Sequence, residues 1–148
     1  MRISSKGRYG LAAAITMARS YSGGATQTVA GLSEQLGISK IYLEQVFSLL
    51  KKAGIVQSFK GMQGGYRLSR PPEKITALEI LTALELSLFE KTEESVSAKA
   101  PDVEKAMQDE VFSPVDEAVE GILSKVTLDG LAAKADVYRK SETYMYYI

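Results

Sequence analysis

Residues 39–66 form a stretch whose side chains have the types and spacing needed to hydrogen bond with the edges of bases. Apolar residues recur there at i, i+3, i+4 and i+7, which predicts a helix with one buried stripe. That stripe consists of Leu43, Val46, Phe47 and Leu50. The opposite face carries Ile41, Gln45, Ser48 and Lys52, with Glu44 at its margin and Lys40 and Tyr42 near the first turn. We expect this polar, partly basic face to read DNA.

Two shorter helices precede this stretch, one over about Lys6 to Ser20 and one over about Val29 to Leu36. Gly37 supplies the turn, and Ser39 is placed to cap the third helix because its hydroxyl can accept from a free backbone N–H. A helix, a glycine turn and a second helix make a helix-turn-helix, whose second helix enters the major groove. The same pattern also occurs as plain core structure, so at this point both interpretations stand.

A β-hairpin is predicted next, with a strand over Ile55–Phe59, a glycine-rich turn over Lys60–Gly65 and a returning strand over Tyr66–Leu68. Lys60 at the tip is placed to meet a phosphate or a minor groove, and the alternative is a structural hairpin with a solvated lysine. The fold expected is mainly α with a small β-hairpin wing. We assign residues 1–85 to a winged helix-turn-helix domain.

The remainder of the chain is divided into a polar loop at 86–101 and a C-terminal part at 102–148. An acidic amphipathic segment from Asp102 to about Lys125 is expected to be a long dimerisation helix, with folding back onto its own domain as the alternative. Its apolar stripe includes Val111, Val115, Val119 and Ile122. Pro114 must kink this helix or mark a restart capped by Ser113. A short helix opened by Thr127–Leu131 and an aromatic tail are predicted to follow.

Composition excludes several classes of protein. The chain has no cysteine and no histidine, which removes thiol nucleophiles, histidine triads and Cys- or His-ligated metal sites. We therefore expect no enzyme, no catalytic residue, no metal and no cofactor. No apolar run approaches the length of a membrane span, so a cytoplasmic protein without membrane contact is expected.

The zero net charge conceals a split between the two halves of the chain. Residues 1–75 hold 11 basic and 3 acidic residues, whereas residues 76–148 hold 7 and 15. The first half thus has a net charge of +8 and the second −8. Such asymmetry suggests that the first half faces a polyanion. The alternative is two solvated faces whose charges differ by chance.

Four motifs resemble the IscR/CymR family of bacterial winged-helix regulators. They are ISSKGRYGL at 3–11, GISKIYLEQVFSLLKKAGIV at 37–56, KGMQGGYRL at 60–68 and ILSKVTLDGLA at 122–132. The resemblance implies a homodimer whose long C-terminal helices cross, bound to double-stranded DNA with a pseudo-palindromic operator. The iron–sulfur members of the family carry three cysteines in the region that matches 88–101, and this chain has none there.

The resemblance also implies which residues contact DNA. On the recognition helix and wing these are Ser39, Lys40, Ile41, Tyr42, Glu44, Gln45, Lys60 and Gly61, with Arg2, Ser5 and Lys6 approaching the backbone from the N-terminus. The chemistry of several side chains agrees. Gln45 can pair with adenine, Ile41 can meet a thymine methyl group, and a carboxylate at Glu44 can accept from cytosine.

The tail TYMYYI at 143–148 is similar to that of the CymR branch, the cysteine-metabolism repressors. The resemblance implies a repressor of cysteine or sulfur metabolism genes. It also implies cysteine synthase as a partner, whose substrate cleft would accept Tyr147 and the carboxylate of Ile148. One alternative function is therefore a module that docks on that enzyme and binds DNA only in the complex. Another is a purely structural tail, in which Tyr144–Tyr147 form an edge strand or pack on the dimer core.

Overall fold

The chain is mainly helical and carries one antiparallel β-hairpin, as predicted. The structure is a computed structural model that describes residues 1–22 and 24–146. In chain order the elements are α1 Ser5–Arg19, α2 Val29–Leu36, α3 Lys40–Lys52, β1 Val56–Phe59, β2 Gly65–Leu68, a 3₁₀ turn Pro72–Lys74, α4 Ala77–Leu84, α5 Pro101–Met107, a π-helical segment Gln108–Phe112, α6 Ser113–Leu123 and α7 Leu128–Tyr146. Among the described residues, no helix is both long and apolar enough to span a membrane.

The helix-turn-helix is formed by α2 and α3 and follows from local signals. The Thr28 hydroxyl oxygen accepts from the Gly31 N–H at 3.0 Å, which caps the start of α2. Gly37 ends that helix in the left-handed conformation, with φ 67° and ψ 28°. The predicted glycine turn between the two helices is confirmed.

The first helix buries a narrow face made largely of small residues. Gly7, Gly10, Ala13, Ala14 and Met17 are its buried members. A Cβ at position 10 would lie 2.0 Å from Cδ1 of Leu84, so a larger residue there would displace the Leu84 side chain where α1 packs on α4. The helix extends from Ser5 to Arg19, one residue earlier at each end than the sequence predicted.

One residue outside the hairpin, Gln27, pairs with β2 and joins the hairpin to the helical domain. β1 and β2 pair from Val56 opposite Leu68 to Phe59 opposite Gly65. On the other side of β2, the Gln27 N–H donates to the Tyr66 carbonyl at 2.8 Å and the Tyr66 N–H donates to the Gln27 carbonyl at 2.7 Å. This bridge fixes the hairpin against the segment that leads into α2.

The start of α4 is closed by a capping box formed by Thr76 and Glu79. The Thr76 N–H donates to Oε2 of Glu79 at 2.9 Å, and the Glu79 N–H donates to the Thr76 hydroxyl at 3.2 Å. Arg70 donates from Nη2 to the other carboxylate oxygen at 2.7 Å. Burial raises the pKa of Glu79, but the bonds from Thr76 and Arg70 outweigh it and hold that pKa below its ordinary 4.5.

The segment 101–123 is helical throughout, so of the two alternatives at Pro114 the restart capped by Ser113 is not observed. Ser113 has φ −62° and ψ −45° and caps nothing with its side chain. Its N–H instead donates to the carbonyl of Gln108, five residues back, in the π-helical segment. A π turn before a proline relieves the clash of the ring with the preceding turn.

The last helix is much longer than the short helix that the sequence predicted. α7 has 19 residues, packs along α1 and contributes Leu128 and Ala132 to the buried core. Arg19 of α1 donates from Nε to the Asp136 carboxylate at 2.9 Å. Residues 144–146 are helical, so an edge strand at these positions is wrong. Tyr147 and Ile148 lie outside the described residues.

Candidate nucleic-acid interface

The orientation of α3 is set by its apolar stripe. Leu43, Val46, Phe47 and Leu50 are all 0% exposed. The Ser39 hydroxyl accepts from the Tyr42 N–H at 3.1 Å and begins the helix where the sequence predicted. Because the stripe is fully buried, the opposite face of the helix must point outward.

The residues predicted to read bases lie on that outward face. Ile41 is 72% exposed, and Ser39, Lys40, Glu44 and Gln45 are exposed as well. Within the part of the chain that the structure describes, the side chains of Lys40, Glu44 and Gln45 make no hydrogen bond or ion pair. An exposed isoleucine beside unpartnered polar groups offers both an apolar contact and hydrogen bonds to base edges.

Tyr42 differs from its neighbours because it is partly packed. Its ring meets that of Tyr9 edge to face, with centroids 5.0 Å apart and an interplanar angle of 80°. Tyr9 belongs to α1, so this pair links the first helix to the start of α3. The role of Tyr9 was not predictable from the sequence, since no local pattern indicates a contact between residues 33 positions apart.

The wing presents Lys60 and Gly61 at the end of the hairpin, where both are exposed. Gly61 has φ +99°, a conformation that glycine adopts without steric cost. Behind the tip, the ring centroid of Phe47 in α3 lies 4.7 Å from that of Tyr66 in β2. The recognition helix and the wing are thus packed on one another through two aromatic side chains.

The N-terminal residues are held by a carboxylate that the sequence did not reveal. Oε1 of Glu85, just after α4, accepts from the Ser4 N–H at 2.7 Å and from the Ser4 hydroxyl at 2.5 Å. Arg2 next to this contact is exposed, whereas Ser5 and Lys6 are partly buried. The Ser5 hydroxyl already accepts from Arg8 at 3.0 Å. Of these residues, Arg2 is therefore the freest to approach a phosphate.

A second carboxylate, Glu104, organises the loop before the long helical run. The side chain is 4% exposed, and its Oε2 accepts from the backbone N–H groups of Val96 at 2.8 Å and Ser95 at 2.9 Å. Gln108 donates to the other oxygen at 3.2 Å. The bonds from Val96, Ser95 and Gln108 hold the pKa of Glu104 below its ordinary 4.5.

The apolar stripe of the long helical run is only partly covered by its own chain. Val111, Val115 and Ile122 are 51%, 55% and 65% exposed, and Val119 is partly buried. The helix contacts its own domain at α4, but most of the stripe stays exposed there. Beside the run lies an open groove of about 940 Å³, bordered on its other side by Met1, Arg2, Leu88 and Phe89.

A helix-turn-helix followed by a β-hairpin wing defines the class of winged-helix DNA-binding proteins. The chain belongs to the Rrf2 family of transcriptional regulators, whose model, described as an iron-dependent transcriptional regulator, matches residues 3–134. It is 37% identical over 150 residues to the HTH-type transcriptional regulator CymR of Bacillus subtilis, with 100% of both chains covered. Proteins of this family are transcription regulators and not enzymes.

Solved structures give the same result. The structure of CymR of B. subtilis superposes with a TM-score of 0.74 at 33% identity, covering 90% of this chain and 98% of that one. IscR of T. potens also gives a TM-score of 0.74 at 33% identity, covering 99% of this chain and 97% of that one. The winged-helix fold predicted from the sequence is confirmed, as is the predicted family.

The iron in the family description does not fit the residues of this chain. Thiolate and imidazole ligands are lacking because the sequence contains neither cysteine nor histidine. Over residues 1–22 and 24–146, no group of three or more acidic side chains is arranged to hold a metal ion either. No step in the function proposed below depends on iron.

Proposed function

We propose that this regulator is a homodimeric repressor that places the outward face of α3 in the major groove of a pseudo-palindromic operator. The observation that supports this most directly is the exposed polar face of α3, from Ser39 to Gln45, opposite a fully buried stripe. In this proposal Gln45, Glu44 and Ile41 read bases. Lys40, Tyr42, Lys60 and the N-terminal Arg2, Ser5 and Lys6 face phosphates, and Gly61 brings the wing backbone close to the DNA.

Selection of bound DNA from a random library, followed by binding measurements across a range of salt, tests this mode of recognition. Gln45→Ala is expected to relax base preference at one position of each half-site, at a cost of about 1–3 kcal/mol on the preferred base. Lys40→Ala should weaken binding to all sequences and reduce the salt dependence. Lys51→Ala, an exposed lysine at the other end of the same helix, is the matched control and should bind like the parent. Selection that yields no common sequence would contradict the proposal.

The dimer is supported by the exposed stripe at Val111, Val115 and Ile122. These three side chains are about half exposed on one helix. Their burial against a second copy is favourable, because removing apolar area from water contributes a free energy of roughly 25 cal/mol per Å². Two-fold symmetry would then set the spacing of the two half-sites at a helical turn or a multiple of it.

Light scattering on the purified chain tests the dimer. Val115→Glu is expected to give a monomer that still folds, because the side chain is 55% exposed in the single chain. Ser124→Glu, also exposed but half a turn away around the helix, should remain a dimer. If both variants and the parent are monomers, the proposal that this stripe is the interface is wrong.

The genes controlled are proposed to be those of cysteine or sulfur metabolism. Support comes from CymR of B. subtilis, described as the global cysteine regulator of that organism, which shares the whole length of this chain. Binding of the purified protein to fragments of its own genome tests the assignment. Fragments enriched without regard to sulfur-metabolism genes would overturn it while leaving the DNA-binding mode intact.

A second candidate function is docking on cysteine synthase through Tyr147 and Ile148, with DNA binding dependent on that complex. It is favoured by α7, which is helical to Tyr146 and exposes Val137 and Tyr138 on its way to the terminus. Calorimetry with cysteine synthase should give binding for the intact chain and none for a chain that lacks Tyr147 and Ile148. Equal binding by both, or by neither, removes this candidate.

A further inference from the structure

Met62, at the tip of the wing, is the most exposed large apolar side chain in the described part of the protein. Its exposure reaches 105% of the reference value, so it touches almost nothing in its own chain. An isolated exposed apolar residue is common on protein surfaces. Met62 is unusual because of where it lies, at the outermost point of a DNA-binding element.

The backbone of the turn holds Met62 in this exposed position. On one side Gly61 has φ +99°, and its carbonyl accepts from the Gly64 N–H at 2.9 Å. On the other side the Thr26 hydroxyl donates to the carbonyl of Gln63 at 2.8 Å. A Cβ at position 64 would lie 2.7 Å from the Phe59 carbonyl oxygen, so this close turn requires glycine there. The tip is therefore built in advance rather than shaped by a partner.

The charge around the tip indicates what kind of partner Met62 would meet. Residues 45–72 contain five basic side chains and not one acidic side chain. Of these, Lys60 and Arg67 belong to the hairpin, whereas Lys51 and Lys52 end α3 and Arg70 pairs with Glu79. A projecting apolar side chain two residues from the exposed Lys60 fits a polyanion that also offers apolar area, and the minor groove of DNA does so through its sugars and base edges.

We propose that Met62 enters the minor groove of the operator and contacts sugars and base edges there, so that the wing reads the local deformability of the DNA. This inference rests on the proposed DNA-binding mode. Proteins that bind the minor groove often insert methionine, leucine or isoleucine against base steps. Steps that open easily, such as those from pyrimidine to purine, would be preferred under the tip.

The contributions of Met62 and its neighbour Lys60 differ in how they depend on salt. A lysine on a phosphate releases a counterion, so its removal reduces the salt slope by roughly one unit. An apolar contact releases no counterion, so its removal lowers affinity by the same factor at every salt concentration. This difference separates the two side chains although they are only two residues apart.

The experiment compares Met62→Gln, Met62→Leu and Lys60→Gln on the DNA selected by the parent protein, by fluorescence anisotropy at several salt concentrations. Met62→Gln is expected to bind about tenfold more weakly, with an unchanged salt slope. Met62→Leu should bind within a factor of about three of the parent. Lys60→Gln should reduce the slope. In a repeated selection, Met62→Gln should lose the preference for deformable steps under the wing.

The results separate failure of this inference from failure of the proposed function. If Met62→Gln binds like the parent at all salt concentrations, or changes the slope, the inference is wrong even if Lys60→Gln and Gln45→Ala behave as expected. If the parent selects no DNA, the proposed function fails first. Because Met62 has almost no contacts in its own chain, both Met62 variants should have the melting temperature of the parent. A Met62 variant with a lower melting temperature would show that Met62 packs on the protein, which also overturns the inference.

Discussion

Substitution of Gly65 by alanine adds one methyl group and tests how the wing is attached to the domain. Its φ is +139°, and a Cβ there would lie 2.5 Å from the carbonyl oxygen of Gln27. That oxygen accepts from the Tyr66 N–H at 2.7 Å, in one of the two bonds that join the hairpin to the segment before α2. Gly65→Ala must therefore displace this bridge.

The cost follows from two contributions. Alanine at a positive φ outside the ordinary regions costs about 1–3 kcal/mol. The two backbone bonds between Gln27 and Tyr66 contribute about 1 kcal/mol each. We therefore expect the free energy of unfolding to fall by about 3–5 kcal/mol, a large part of the 5–15 kcal/mol typical of a domain.

Gly61→Ala is the matched control, because Gly61 also has positive φ, at +99°, but a Cβ there meets nothing within 4 Å. Gly61→Ala should incur only the cost of alanine at a positive φ, so the free energies of unfolding of the two variants should differ by about 2 kcal/mol. Urea unfolding measures this difference directly. Hydrogen exchange at the Tyr66 amide should accelerate in Gly65→Ala and not in Gly61→Ala. Equal losses of stability in both variants would refute the role assigned to the bridge.

Three further predictions concern the helices and the loop. Phe47→Ala should lower the free energy of unfolding by about 3–5 kcal/mol, whereas Gln45→Ala should change it by less than about 0.5 kcal/mol. Urea unfolding measures both values, and the reverse order would mean that α3 faces the other way. Thr76→Ala should cost about 1 kcal/mol through the lost cap, and Thr82→Ala, exposed in the same helix, should cost less than half of that by the same measurement. Because the pKa of Glu104 is lowered in the folded chain, its contribution to stability is present above about pH 4.5 and is lost as the pH falls through the folded value. The protection of the two loop amides that donate to Glu104, measured relative to the intrinsic exchange rate at each pH, should therefore fall below that range. Glu104→Gln should remove this pH dependence, and constant protection in the parent would contradict the assignment.

The parts of the interface that depend on local spacing were predictable from the sequence. The direction of α3 follows from its apolar period, and the capping residues Thr28, Ser39 and Thr76 act on N–H groups only a few residues away. The family motifs lie on the same elements. For these reasons the fold class and the outward face of α3 were both evident before the structure.

The parts that depend on contacts distant in sequence were not predictable. Glu85 binds Ser4 across 81 positions, and nothing near either residue indicates the other. The Tyr9–Tyr42 pair and the Gln27 bridge are of the same kind. At Pro114 the sequence left a kink and a restart open, because a proline usually bends, ends or begins a helix, whereas here the preceding turn widens to accept it.

That widened turn, Gln108–Phe112, has a geometric effect on everything that follows it. In a regular α-helix each residue advances about 100°, so Val115 would lie only about 20° around the axis from Glu104, and Ile122 would share the same direction. Glu104 points at its own loop and is 4% exposed, so those apolar side chains would face the body of the protein too. A π turn acts as a one-residue insertion and rotates the later part of the helix back by roughly 100°.

The π segment thus sets the rotation about the helix axis between the two halves of one helix. In the half before it, Glu104 binds the chain's own loop, and in the half after it Val115 and Ile122 are 55% and 65% exposed. Deleting one residue within Gln108–Phe112 would bring both halves into register and direct the apolar stripe inward. The angular offset of a single wide turn allows one continuous helix to bind its own loop at one end and to expose apolar side chains at the other.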